Sequence, residues 1–200
     1  MTLMKHLFTA GALALASLAA PLAAQESAIP EMTMGPEDAK VTIIEYASFT
    51  CPHCANFHNG PLKQLKADYI DTGKVHFIYR DVYFDRFGLW ASMVARCGGP
   101  EKFFGIAEML YERQRDWAQG EPTAIADNLR RIGRLAGIEP DALEACLNDS
   151  DKAQALVAWY QDNAATHEVN STPTLIINEK KYGNMAYADL KAIIEEKLAE

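Results

Sequence analysis

Val41 to Ala47 (VTIIEYA) is a compact run of β-branched and aromatic residues that leads straight into Cys51-Pro52-His53-Cys54. Apolar residues at helical spacing begin at once and continue to about Tyr69. Together these describe a buried central strand, a tight connection and a helix whose first turn carries two cysteines. Asn59-Gly60-Pro61 interrupts that helix, and Asp71-Thr72-Gly73 supplies the turn after it. Val75 to Val82 (VHFIYRDV) reads as a second strand, so strand, helix and strand follow in order. That order implies a parallel crossover and an α/β core.

The pattern then changes. Arg86 to Cys97, Glu101 to Trp117, Thr123 to Ala136, Asp141 to Leu147 and Asp151 to Ala165 all read as helices, with no strand between them. Strands return at Pro173 to Asn178 (PTLIIN) and Lys181 to Asn184, a hairpin followed by a closing amphipathic helix from Tyr187 to Leu198. The expected organisation is one α/β domain in two parts, residues 25–85 and 166–200, with residues 86–165 as a helical insertion. Upstream of Val41 the chain is polar and has room only for a short edge strand around Met32 to Met34.

Residues 1–24 read differently. Lys5 and His6 precede an apolar run from Leu7 to Ala20, then Pro21 and small residues, which is the layout of a secretory signal peptide with cleavage expected after Ala24. Export places the rest of the chain in an oxidising compartment where disulfides persist, so the four cysteines should be read as pairs. Four cysteines allow three connectivities, and the close spacing of Cys51 and Cys54 leaves Cys97 and Cys146 for each other. The formal net charge of −8, with no basic stripe, argues against nucleic acid as a partner.

A C-x-x-C that follows a buried strand and opens a helix reads as a redox pair. Unpaired amides and the macrodipole at a helix N-terminus favour the Cys51 thiolate, which strengthens a Cys51–Cys54 disulfide as an oxidant. Cys54, one turn further in, is expected to be buried and to act as the resolving thiol. Between them, Pro52 and His53 lie against the sulfur. His53 either donates a hydrogen bond or partial positive charge to Cys51, or is an exposed histidine in a turn. Glu45 shares a strand face with Ile43, where an unpaired carboxylate is costly; it either exchanges protons with Cys54 or is an outward-facing strand residue. Zinc is a weak alternative: Cys51, Cys54 and His58 supply three ligands, but the chain offers no second cluster. Trp90, Met93, Phe103, Phe104, Met109, Tyr111, Trp159 and Tyr160 recur at helical spacing, as core residues do.

With these residues stated, the chain resembles the DsbA-type thiol-disulfide oxidoreductases, a thioredoxin fold carrying a helical insertion. The likeness rests on the exported start, the Val41 to Ala47 strand, Cys51-Pro52-His53-Cys54, the helical block, and Ser171-Thr172-Pro173-Thr174 before a strand. It implies that Pro173 is cis and that Thr172 lies beside the active-site sulfurs, presenting backbone groups to an extended substrate segment. It implies a periplasmic dithiol oxidase acting on reduced exported proteins, reoxidised by a DsbB-type membrane partner, with no bound cofactor. About 15 residues between the expected cleavage site and the core leave no room for a dimerisation domain, so a monomer is expected. Cys97 and Cys146 lie outside the simplest family pattern and read as a structural disulfide. A disulfide isomerase or reductase, a non-catalytic holdase and a metal carrier are the competing readings.

Overall fold

The computed structural model describes residues 29–200; the expected signal peptide and its cleavage after Ala24 lie outside the described residues. Val41–Ala47 forms the central strand, β2 once the short strand Met32–Met34 is counted as β1. Its parallel neighbour is β3 (Val75–Asp81), which pairs Val41 with Val75 and Ala47 with Asp81. On its other side lies β4 (Thr174–Ile177), antiparallel, and beyond that β5 (Lys180–Tyr182). The sheet order is therefore β1-β3-β2-β4-β5, with β1 antiparallel to β3. A strand flanked on both sides has its backbone groups paired, and β2 is accordingly mostly apolar, with Val41, Ile43 and Ala47 fully buried. Gly35, just after β1, sits at φ +80° where a Cβ would lie 2.2 Å from the Val75 carbonyl oxygen, so only glycine permits the chain to pass that close.

The helix after β2 is segmented, as the Asn59-Gly60-Pro61 signal predicts. α1 (Pro52–Asn59) ends at Gly60, α2 (Pro61–Leu65) restarts at a proline in its first turn, and Lys66–Ile70 forms a π-helical turn before β3. From Arg86 to Thr166 only helices occur: α3 (Arg86–Cys97), α4 (Gly99–Glu112), α5 (Gln114–Trp117), α6 (Pro122–Leu135), α7 (Pro140–Leu147) and α8 (Ser150–Thr166). α9 (Tyr187–Ala199) closes the chain and packs on α2 and β2. The architecture is a thioredoxin fold with an inserted all-helical subdomain.

One expected helix differs. The Glu101 to Trp117 run is divided at Arg113, which leaves helical geometry at φ −103°, ψ 17°. The break redirects the chain so that Gln114 and Trp117 are buried and the Trp117 indole donates to the Leu110 carbonyl at 2.7 Å. α4 lays Phe103, Ile106, Ala107, Leu110 and Tyr111 into the main core. Burying a Phe, Ile or Leu side chain stabilises by about 1.5–3 kcal/mol, so this stripe contributes to holding the insertion on the sheet. Cys97 and Cys146 are disulfide-bonded, joining the end of α3 to α7 across 49 residues of chain.

Candidate active site

Cys51 is the N-cap residue of α1. Its backbone is extended (φ −82°, ψ 119°) and its sulfur accepts from the Cys54 backbone N–H at 3.4 Å, the place usually taken by a serine or aspartate oxygen. Pro52 occupies the first helical turn, where its missing N–H leaves nothing unpaired. The two thiols are not bonded to each other, so this is the dithiol state. Across from them the Thr172–Pro173 peptide is cis, and the Cys51 thiol reaches the Thr172 carbonyl oxygen at 3.6 Å.

The two sulfurs differ sharply. The hydrogen bond from the Cys54 thiol, reinforced by the Thr172 side chain and by the Cys54 and His53 backbone amides, overcomes desolvation and lowers the Cys51 pKa from 9.0 to about 5. Cys54 is fully buried. Burial, its bond to Cys51 and the Glu45 charge push its pKa far above the ordinary thiol range. One thiolate is stabilised at neutral pH and the other thiol holds its proton. That asymmetry suits a nucleophile or leaving group at Cys51 and a protonated resolving thiol at Cys54.

Two predicted site side chains stand apart from the sulfurs. Pro52 and His53 are exposed, and the His53 contribution to Cys51 comes through its backbone amide rather than its imidazole. The reason is geometric: a side chain at the second helical position points away from the axis, whereas its N–H points along it toward the cap. Glu45 is the opposite case. It is fully buried in β2, between Tyr79 of β3 and Leu175 of β4, which excludes the outward-facing alternative. Its Oε2 meets His58 Nε2 at 2.9 Å, while Oε1 is buried without a protein partner. His58, weighed above as a zinc ligand, thus gives that nitrogen to Glu45, and its ring stacks on Tyr111 at 3.9 Å. The Tyr111 and Tyr79 hydroxyls are joined at 2.7 Å, and burial raises both well above the usual phenol value.

The helical insertion holds the loop that carries Cys51. Gln114 Nε2 donates to the Phe49 carbonyl at 2.8 Å and to the Cys51 carbonyl at 2.9 Å. Asp85 caps α3 by accepting from the Phe87 and Gly88 amides, and its second oxygen accepts the Thr50 hydroxyl at 2.9 Å. Sequence reasoning missed His58 as the partner of Glu45, although Cys54 and His58 at i, i+4 share one face of α1. It also missed Gln114, for which the sequence carries no local signal.

Known proteins resemble this chain in sequence and in fold. The model of a family described as Thioredoxin matches residues 27–196. A putative protein-disulfide oxidoreductase of Rickettsia bellii is 29% identical over 171 residues, covering 85% of this chain and 65% of that protein. Disulfide bond formation protein D of Bacillus subtilis is 29% identical over 181 residues, covering 87% of this chain and 80% of that one. The crystal structure of Wolbachia pipientis alpha-DsbA1 superposes with a TM-score of 0.76 at 26% identity, over 83% of this chain and 89% of that one. Oxidised BdbD from Bacillus subtilis gives 0.75 at 26% identity, over 85% and 94%. The chain spans only 61–65% of the length of the Rickettsia relatives it matches.

Proposed function

The chain belongs to the thioredoxin family, and from that premise we propose that it is an exported, periplasmic dithiol oxidase of the DsbA type. Its oxidised Cys51–Cys54 disulfide accepts a substrate thiolate at the Cys51 sulfur. That forms a substrate–Cys51 mixed disulfide, and the Cys54 sulfur leaves as a thiolate that takes up a proton. A second substrate thiolate then attacks the substrate sulfur, closing the substrate disulfide and releasing the Cys51 thiolate. Reduced exported proteins are the substrates, and a membrane partner of the DsbB type removes the electrons afterwards.

The observation that carries this reading is the depressed Cys51 pKa, about 5. A stabilised leaving thiolate favours the reduced state of the enzyme, and so makes its disulfide a donor rather than an acceptor of oxidising equivalents. Other features support it. The backbone at Thr172 and Pro173 faces Cys51 and suits an extended peptide that adds beside it. The Cys97–Cys146 bond lies in the helical insertion and serves structure rather than exchange, with residues 86–165 as the inserted unit and Glu45 as the proton partner of Cys54.

Equilibrating the protein with glutathione buffers, trapping the thiols and counting them by mass spectrometry tests the assignment. An oxidase gives a Cys51–Cys54 potential well above the glutathione poise, with Cys97–Cys146 unreduced throughout. A strongly reducing potential would assign the protein to reduction or isomerisation instead.

A further inference from the structure

We infer that Gln114 is a positioning residue of the redox pair: from the helical insertion, its side-chain amide holds Cys51 at the N-cap of α1 when no disulfide does so, and thereby favours the dithiol state. The inference rests on the reading of Cys51 and Cys54 as an exchanging pair and goes beyond it. Part of the control of the pair then lies outside the thioredoxin core.

The segment to be held is short. Between Ala47, the last residue of β2, and Pro52, the first of α1, the chain makes a turn closed by the Cys51 amide on the Ser48 carbonyl at 3.0 Å. In the oxidised protein the bond to Cys54 ties the Cys51 sulfur to the helix. In the dithiol that tie is gone. The sulfur then stays on the Cys54 amide only while the Cys51 backbone keeps its extended cap conformation. A contact that maintains this conformation from outside the helix therefore matters more to the reduced form than to the oxidised one.

Gln114 makes that contact. Its Nε2 carries two hydrogens and places them on the Phe49 carbonyl at 2.8 Å and the Cys51 carbonyl at 2.9 Å. The Cys51 carbonyl also accepts the Ala55 amide at 3.1 Å, the first hydrogen bond of α1. Both lone pairs of that oxygen are engaged, which restrains the peptide plane that carries the cap. Gln114 is only 7% exposed, so water weakens these bonds little. Its own place is set by the break at Arg113 and by Trp117, whose indole is bonded to the Leu110 carbonyl.

The far side of the turn is seated as well. Asp85 at the cap of α3 accepts the Thr50 hydroxyl at 2.9 Å, and a Cβ at Gly88 would stand 3.3 Å from Ser48 Oγ and 3.4 Å from Thr50 Oγ1. The turn thus lies between α3 and α5 of the insertion. Gln114 is neutral, and a glutamate in its place would set a carboxylate against two carbonyl oxygens. Removing its amide leaves Cys54 and, across Thr50, Asp85 as they are, so the change it causes at Cys51 comes through geometry.

Gln114→Met keeps the volume and removes both donors. Two measurements on the whole protein read the effect: thiolate absorbance of Cys51 against pH, and equilibration with glutathione buffers with the thiols trapped and counted. Loss of the hold should raise the Cys51 pKa by about one unit and make reduction by glutathione about tenfold less favourable, a potential about 30 mV lower. Urea unfolding of both redox forms closes the cycle, with the reduced form losing more stability than the oxidised one. A glutamine that only stabilises the fold weakens both forms equally and moves neither the pKa nor the potential. Gln114→Asn, one methylene shorter, draws the same amide back from both carbonyls and serves if the methionine variant does not fold; shifts in the same direction are expected. A folded variant of either kind with the wild-type pKa and potential overturns the role of Gln114 and leaves the oxidase reading intact. A wild-type pair that proves strongly reducing removes the oxidase reading, while the difference between variant and wild type still decides for or against Gln114.

Discussion

The Gln114 side-chain amide donates to the Cys51 carbonyl over 2.9 Å, so a residue of the helical insertion grips the backbone of the nucleophilic cysteine directly. The same nitrogen serves the Phe49 carbonyl. Gln114→Met fills a similar volume and leaves two buried acceptors without their donor. The expected loss of stability is about 2 kcal/mol, within the range for an unsatisfied buried polar group, and urea unfolding measures it. A variant as stable as the wild type would mean that water replaces the amide.

The unequal sulfurs fix how the redox potential varies with pH. Cys51 titrates at about 5 instead of 9.0, so its ionisation favours the reduced state fully above pH 9, and this advantage is lost as pH falls to about 5. Cys54 holds its proton throughout, being pushed far above the thiol range. Reduction therefore takes up one proton per two electrons between these limits, and the potential should fall by about 30 mV per pH unit, steepening to about 60 mV per unit below pH 5. Equilibration against a dithiol buffer of known potential over that range checks both slopes. A two-proton slope at neutral pH would contradict the low Cys51 value.

How far the sequence carries can be judged residue by residue. β2, the crossover to β3 and the placing of both cysteines on the first turn of α1 follow from periodicity and from Pro52, because local spacing fixes which face is buried. The buried face of Glu45 was legible in the same way, by its alternation with Ile43. Its partner was readable only in half: the helical spacing puts His58 on the face of Cys54, but the packing of α1 on the sheet decides that it meets Glu45. Gln114 was not legible at all. Its role depends on a break at Arg113 that contains neither glycine nor proline, and on a loop more than 60 residues earlier in the chain. The exposed His53 imidazole shows the converse, since a motif gives neighbours in sequence while side-chain direction belongs to the helix geometry.

The Cys97–Cys146 bond closes a loop with a sequence separation of 49 residues between α3 and α7. Constraint of the unfolded chain by a loop of that length contributes up to about 4 kcal/mol. Replacing both cysteines by alanine should therefore lower the thermal midpoint of the protein by several degrees. An unchanged midpoint would show that packing of α3 against α6 and α7 already fixes the insertion.

Arg96 and Asp81 test the same joint from the sheet side. Asp81 ends β3 and is buried, and its Oδ2 accepts from Arg96 Nε at 3.0 Å and Nη2 at 2.8 Å, while Nη1 donates to the Pro30 carbonyl at 3.0 Å. The guanidinium also lies over the Phe103 and Trp159 rings. Arg96→Met leaves an uncompensated carboxylate in the core and should cost about 3–5 kcal/mol. Arg96→Met combined with Asp81→Leu removes both charges and should recover most of that loss, because desolvation of the pair offsets much of its attraction. Denaturant midpoints of the single and double variants decide the matter. A double variant as unstable as the single one would show that the pair holds α3 to the sheet by its geometry and not merely by avoiding an unpaired charge.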